Sequence, residues 1–172
     1  MAVVRSFPPI VGPRPWGFVL GSMPGLASLA AQQYYAHPRN AFWPIMAELL
    51  GFDAALPYAR RCAALKRAGV AVWDVLWACE RPGSLDSAIV AGTETPNELV
   101  ALLTRRSTIR SVMLNGGKAD QAFRRHVLGE LPAEVRERLT ITRLPSTSPA
   151  HAARSFDEKL EAWRLAIDGH SR

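Results

Sequence analysis

Four short apolar runs constrain this chain more than anything else in it: Trp16 to Leu20, Val70 to Val75, Ile109 to Leu114 and Leu139 to Leu144. Each is apolar almost throughout, and helical stretches separate them. Strands buried on both faces and alternating with helices belong to parallel sheets joined by right-handed crossovers. The expected fold is therefore α/β: a single three-layer domain with a central four-stranded parallel sheet flanked by helices. With 172 residues, 48% of them hydrophobic, the chain can bury a full core without a second domain. One domain over residues 1–172 is expected, its core spanning about 7–168.

The helices are signalled at their ends. Thr95-Pro96-Asn97-Glu98 sets a capping threonine, a proline at the first helical position and a glutamate three after the cap. A helix from Pro96 to about Arg106 is expected, with Leu99, Leu102 and Leu103 on its apolar face. Ser155-Phe156-Asp157-Glu158 repeats the pattern, and Phe156, Leu160, Trp163 and Ile167 follow at helical spacing. Pro57 to Ala68 and Lys118 to Leu128 read as further amphipathic helices. Met1 to Ser6 and His170 to Arg172 read as loose ends.

Ligands of an open parallel sheet bind beyond the carboxyl ends of its strands. Small, polar and flexible residues follow each of the four runs. Gly21-Ser22-Met23-Pro24-Gly25 comes first, then Trp73-Asp74 with Arg81-Pro82-Gly83-Ser84, then Asn115-Gly116-Gly117, and last Pro145-Ser146-Thr147-Ser148-Pro149-Ala150. The first and last of these loops read as two walls of one site. A glycine-rich turn lets backbone approach a ligand closely.

The formal charge of +6 and a pI near 10.0 favour a polyanionic partner, against the alternative of a merely solvated basic surface. Cys62 and Cys79 are too few and too far apart for a four-ligand zinc or iron-sulfur site, and read as small apolar residues. No apolar run approaches the ~20 residues of a membrane span, and no signal-peptide layout opens the chain. A soluble, cytoplasmic or nucleoid-associated monomer without metal or cofactor is expected.

Three stretches in this order carry a resemblance: Gly21-Ser22-Met23-Pro24-Gly25, then Tyr34-Tyr35-Ala36-His37-Pro38-Arg39-Asn40-Ala41-Phe42-Trp43, then Leu144-Pro145-Ser146-Thr147-Ser148-Pro149-Ala150. Together they resemble the uracil-DNA glycosylase superfamily, and within it the hypoxanthine-DNA glycosylases of family 6. The likeness covers about residues 7 to 165. It implies a monofunctional glycosylase that hydrolyses the N-glycosidic bond of deoxyinosine in DNA, releasing hypoxanthine and leaving an abasic site. A uracil or broad deaminated-base glycosylase is the alternative, and a catalytically silent module that binds damaged DNA is the second. The implied partner is DNA containing a deaminated base.

The resemblance also distributes roles. Met23 stands where thymine- and mismatch-specific relatives carry a water-handling asparagine, and a thioether cannot orient water strongly. Asn40 matches the catalytic asparagine of the hypoxanthine glycosylases; helix capping before Phe42 is its other reading. Gly21, Ser22, Met23, Pro24 and Gly25 form the substrate loop. Tyr35 and Phe42 are expected to stack on an extruded base or else to lie in the core. Asp74 is expected to read the base edge, or else to pair with Arg81 or another arginine. Asn115 contacts substrate or shapes the turn with Gly116 and Gly117. DNA contacts are expected from His37, Arg39, Ser146, Thr147, Ser148, His151 and Arg154, with a general-acid role open to either histidine. A Ser-His-Asp hydrolase using Ser22 is the competing enzyme; Gly21 to Gly25 lacks the G-x-S-x-G elbow, and Pro24 removes an N–H.

Overall fold

The computed structural model describes residues 3–170. In chain order its elements are β1 (Val3–Arg5), β2 (Gly17–Gly21), α1 (Leu26–Ala31), α2 (Phe42–Leu50), α3 (Tyr58–Ala68), β3 (Val70–Asp74), β4 (Leu76–Glu80), β5 (Thr95–Pro96), α4 (Leu99–Arg105), β6 (Ser111–Asn115), α5 (Gly117–His126), α6 (Ala133–Arg138), β7 (Thr140–Leu144) and α7 (Phe156–Asp168).

The four apolar runs pair in parallel as one sheet of order β3-β2-β6-β7. All residues of β2 and β6 are buried, as central strands covered on both faces must be. Two apolar clusters fill the layers above and below. Phe18, Leu20, Leu99, Leu103, Val112, Leu114 and Phe123 share one; Val19, Phe42, Ile45, Met46, Leu65, Val72 and Trp163 share the other. The alternation of Phe18, Leu20 with Val19 across the two clusters is the two-residue period of a strand. No helix of the described residues is long and apolar enough to cross a membrane.

A second, antiparallel sheet of order β1-β4-β5 adjoins the first. It corrects three expectations. Val3–Arg5 is a strand, so Met1 to Ser6 is not a loose end throughout; Met1, Ala2, Ser171 and Arg172 lie outside the described residues. Thr95 does not cap a helix: Thr95 and Pro96 pair with β4, and the Asn97 amide donates to the carbonyls of Asp74 (2.8 Å) and Leu76 (3.2 Å) and to Ser6 Oγ (3.1 Å). The demand of the β4 edge for partners prevails over the local capping pattern, and proline is tolerated on an edge strand. The helix starts only at Leu99, without a side-chain cap, though Leu99, Leu102 and Leu103 are buried as its spacing required. In α7 the Ser155–Glu158 capping box is present in both directions. Phe156, the first residue of that helix, stays 44% exposed while Trp163 and Ile167 are buried, because the side of the helix that packs into the core begins only at Leu160.

Candidate active site

The carboxyl ends of the parallel strands open into one cleft of about 700 Å³, within the ~300–1,000 Å³ of sites that hold small organic ligands. The first loop and residues 146–151 face each other across it. The first loop is pinned from below: as the chain turns from β3 into β4, the Val75 and Leu76 N–H groups donate to the Gly21 and Ser22 carbonyls at 2.8 and 3.1 Å. Arg81, itself buried, donates from Nη2 to the Pro24 carbonyl (2.7 Å) and from Nε to that of Gly83 (2.8 Å).

Asp74 lies on the cleft floor, 3% exposed, and its Oδ2 has no hydrogen-bond partner. The arginine pair expected as its alternative is not formed: among the described residues Asp74 makes no salt bridge, and Arg81 serves carbonyls instead. Burial, then the charge of Asp86, push the carboxyl up to about 7 against the lowering pull of Arg81. A carboxyl in this state exchanges between acceptor-only and donor-acceptor forms near neutrality. Gly21 is required beside it, since a Cβ there would lie 2.5 Å from Asp74 Oδ1.

Asn115 holds the two halves of the cleft together. Its Oδ1 accepts from the buried Thr147 N–H (2.9 Å), and its Nδ2 donates to Thr147 Oγ1 (3.0 Å) and to the Tyr35 hydroxyl (3.3 Å). The amide is thus committed to tying the end of β6 to the last loop. Thr147, 1% exposed, is an anchor in that loop, and its carbonyl accepts from the Ala41 N–H at 2.9 Å. Tyr35 takes a left-handed backbone, φ 54°, rare for a bulky residue. That turn lays its ring on Phe42, centroids 4.1 Å apart and planes 25° from parallel, with its hydroxyl toward Asn115. Burial and the charge of Asp74 hold the phenol neutral. Phe42 has no exposed surface and lies outside the cleft wall, so it backs Tyr35 instead of meeting a base.

Asn40 lines the cleft just before α2. Its Oδ1 accepts from the Phe42 N–H (2.9 Å), an Asx turn that starts the helix. Its Nδ2 and the second Oδ1 lone pair stay available, so the local turn fixes the amide without exhausting it. His37 accepts the Arg39 N–H at Nδ1 (3.1 Å), and both residues, with His151, are on the cleft wall. Ser146 Oγ accepts from Ser148 N–H (3.1 Å) and Ser148 Oγ from Ala150 N–H (3.2 Å), an arrangement that leaves both hydroxyl protons free to donate. Arg154 is exposed and off the cleft wall. Met23 lines the cleft with the rest of its loop while packing most of its side chain into the apolar core, at 7% exposure.

The segment Ser84 to Ser87 closes the rim and carries a residue that sequence reasoning missed. Asp86 accepts from Ser22 Oγ at 2.6 Å, and Ser84 Oγ accepts from the Leu26 N–H at 2.9 Å. Ser22 is therefore bonded to a carboxylate and has no imidazole partner, which removes the nucleophile-base pair a serine hydrolase needs. An exposed, aperiodic loop gives no sequence signal for Asp86.

A sequence profile described as the uracil DNA glycosylase superfamily matches residues 8–167. A protein of Methanosarcina barkeri named hypoxanthine DNA glycosylase is 30% identical over 164 residues, covering 95% of this chain and 97% of its own. A second of that name, from Methanosarcina acetivorans, is 32% identical over 120 residues, 69% of this chain and 75% of its own. A solution NMR structure from Methanosarcina acetivorans, described as a candidate uracil DNA glycosylase, superposes with a TM-score of 0.77 at 27% identity, over 96% of this chain and 99% of that one. The pinned glycine loop, the facing serine-rich loop and a match spanning both place the chain in one family: it belongs to the uracil DNA glycosylase superfamily.

Proposed function

We propose that the chain hydrolyses the N-glycosidic bond of deoxyinosine in DNA, releasing hypoxanthine and leaving an abasic site. The observation that carries this reading is Asp74, a buried carboxyl on the cleft floor with an oxygen that lacks a partner. The six-membered ring of hypoxanthine presents an N1–H donor beside the O6 acceptor. A neutral carboxyl complements both at once, and an ionised one accepts from N1–H. The relatives named hypoxanthine DNA glycosylases support the choice of base.

Reaching the bond requires the nucleotide to leave the stack, at a cost of a few kcal/mol. Tyr35, propped on Phe42, supplies an aromatic wall for the extruded base, while the Ser146 and Ser148 hydroxyls and Arg39 meet flanking phosphates. As the bond to N9 lengthens, the sugar gains oxocarbenium character and electrons move onto the purine. Water then adds to C1′, and the proton it loses offsets the one taken up by the departing hypoxanthine anion. Asn40 holds that water through the unspent capacity of its amide, and orientation supplies much of the acceleration in so dissociative a step.

Uracil also offers an N–H donor next to a carbonyl, so Asp74 serves a uracil or broader deaminated-base glycosylase equally well. Single-turnover cleavage of matched duplexes bearing deoxyinosine, uracil or xanthine separates these readings. Asn40→Ala should lose about a hundredfold or more in rate, the scale of removing one preorganised polar group. Asn40→Ser should keep the turn before α2 without restoring the rate. A folded Asn40→Ala at the wild-type rate would move the water elsewhere. A wild type that binds every duplex and cleaves none would leave a silent binding module, the reading that rests on Met23 in place of a water-handling asparagine.

A further inference from the structure

Little of the cationic surplus of the chain sits on the cleft wall, though Lys118 and Arg143 flank its rim beside Asp86 and Gly117. The charged side chains on the cleft wall are Arg39, Asp74 and Asp86, alongside His37 and His151. At the opposite end of the sheet, each crossover brings a helix C-terminus beside the start of a strand. Lys66 and Arg67 end α3 before β3, Arg105 ends α4 before β6, and Arg136 and Arg138 end α6 before β7. Backbone bonds join these ends into one surface. Trp16 N–H donates to the Gly69 carbonyl, Arg110 N–H to that of Trp16, and Thr140 N–H to that of Arg110, each at 2.8 Å.

Part of this charge has a structural use. Arg138 donates to the carbonyls of Ile109 (3.0 Å), Arg106 (3.3 Å) and Leu103, Arg136 to that of Leu128 (2.6 Å), and Arg106 to that of Gly12 (3.4 Å). Arg14, Lys66, Arg67, Arg105 and Arg110 are different: all are exposed, and among the described residues none is in an ion pair. A helix C-terminus carries only about half a negative charge, which calls for far less than this. The acids in the last turns of the helices that end on this side are Glu48 in α2, Glu137 in α6 and Asp168 in α7. Among the described residues, the large exposed apolar side chains Val3, Leu26, Trp77, Leu85 and Phe156 lie on other segments and Leu165, in the last turn of α7, stands alone at this end, so this face offers few of the apolar anchors that a protein partner would bury.

We propose that the amino-end face, centred on Lys66, Arg67, Arg105 and Arg110, binds the phosphate backbone of a second DNA segment, separate from the one that enters the cleft. The proposal rests on the reading of the cleft as a DNA site. Five-residue strands alone hold the two ends about 16 Å apart, and duplex DNA resists bending below about 500 Å. One short duplex cannot serve both.

The test compares wild type with the triple variant Arg67→Glu, Arg105→Glu, Arg110→Glu, with the corresponding Gln variant in reserve if the charge reversal fails to fold. Sedimentation velocity with short inosine-bearing duplex in excess reads how many duplexes each protein carries, and single-turnover cleavage of the same duplex reads the cleft. Wild type should carry two duplexes at low salt. The variant should carry one, with at least a tenfold loss at the second site and cleavage within about twofold of wild type. The salt slope of second-duplex binding should flatten by about one per phosphate contact removed. A wild type that carries one duplex under all salt conditions, or a variant that still carries two, overturns the proposal. A variant whose cleavage falls with its binding overturns it also, by making this face part of the tract leading to the cleft. Loss of cleavage in wild type itself would count against the glycosylase reading alone.

Discussion

Gly21→Ala puts the smallest side chain at the most crowded point of the cleft. The new Cβ would lie 2.5 Å from Asp74 Oδ1 and 3.0 Å from the Tyr35 hydroxyl, where ordinary contact begins near 3.4 Å. The carboxyl must retreat by about 0.9 Å, either against the close-packed core beneath it or into the cleft where substrate would sit. Overpacking of this kind costs about 1–3 kcal/mol. A misplacement near 1 Å in a group that holds substrate costs about a hundredfold in rate. Both quantities are separable: thermal melting reads the first, and single-turnover cleavage of deoxyinosine by folded protein reads the second. The double variant with Asp74→Ala removes the atom that is struck, so most of the stability penalty of Gly21→Ala should vanish in that background, a coupling of about 1–3 kcal/mol. A Gly21→Ala protein that melts and cleaves like wild type, or a penalty unchanged when Asp74 is alanine, would refute the reasoning.

The carboxyl of Asp74 also fixes how stability depends on pH. Its folded value of about 7 lies above the ordinary 3.8, so between them the folded chain keeps a proton that the unfolded chain releases. Stability therefore falls as pH rises from about 4 to about 7 and levels off above. Asp74→Asn cannot ionise, and its melting temperature relative to wild type should be higher at pH 8 than at pH 5; equal differences at both pH values would count against the buried charge. Asn115→Ala should cost about 1–3 kcal/mol by leaving the buried Thr147 N–H unpaired, and should slow cleavage because Thr147 in turn holds Ala41 beside Asn40. Asn115→Asp should recover part of the stability by restoring the acceptor, as a denaturant titration would show. Ser155→Ala should lose about 1 kcal/mol in the same titration and leave the rate of cleavage untouched.

The parallel sheet was legible because burial on both faces leaves an unbroken apolar run, and its four loops were legible because small residues follow each run. The antiparallel sheet was not. Leu76–Glu80 follows β3 with only Val75 between them and no turn residue to mark the change of sheet. Val3–Arg5 is too short to show a period, and Thr95-Pro96 looked like a helix start until a strand edge claimed it. Within the cleft, the sequence pointed to Asp74, Asn115 and Asn40 but not to their bonding. That Asn115 is occupied by Thr147 and Tyr35 depends on contacts between residues 32 and 80 positions apart. Phe42 and Tyr35 are equally aromatic on paper, and only the left-handed turn at Tyr35 decides which faces the cleft.

The strand order has a consequence for how the protein comes to act. The two facing loops are more than a hundred residues apart in the chain, and β7, which leads into the second, joins at an edge of the sheet beside β6. Yet β7 has the most local pairing of the sheet, Ser111 with Thr140, whereas Gly17 must find both Val70 and Ser111, so the slowly formed pairings are those that seat β2 and the glycine loop behind it. An intermediate with only β6 and β7 paired has the Asn115 amide beside Thr147 but no glycine loop facing them. On the proposed function, such an intermediate cannot clasp an extruded nucleotide. Seating of β2 is thus the step that completes the cleft, so a half-folded chain has one wall of the site without the other.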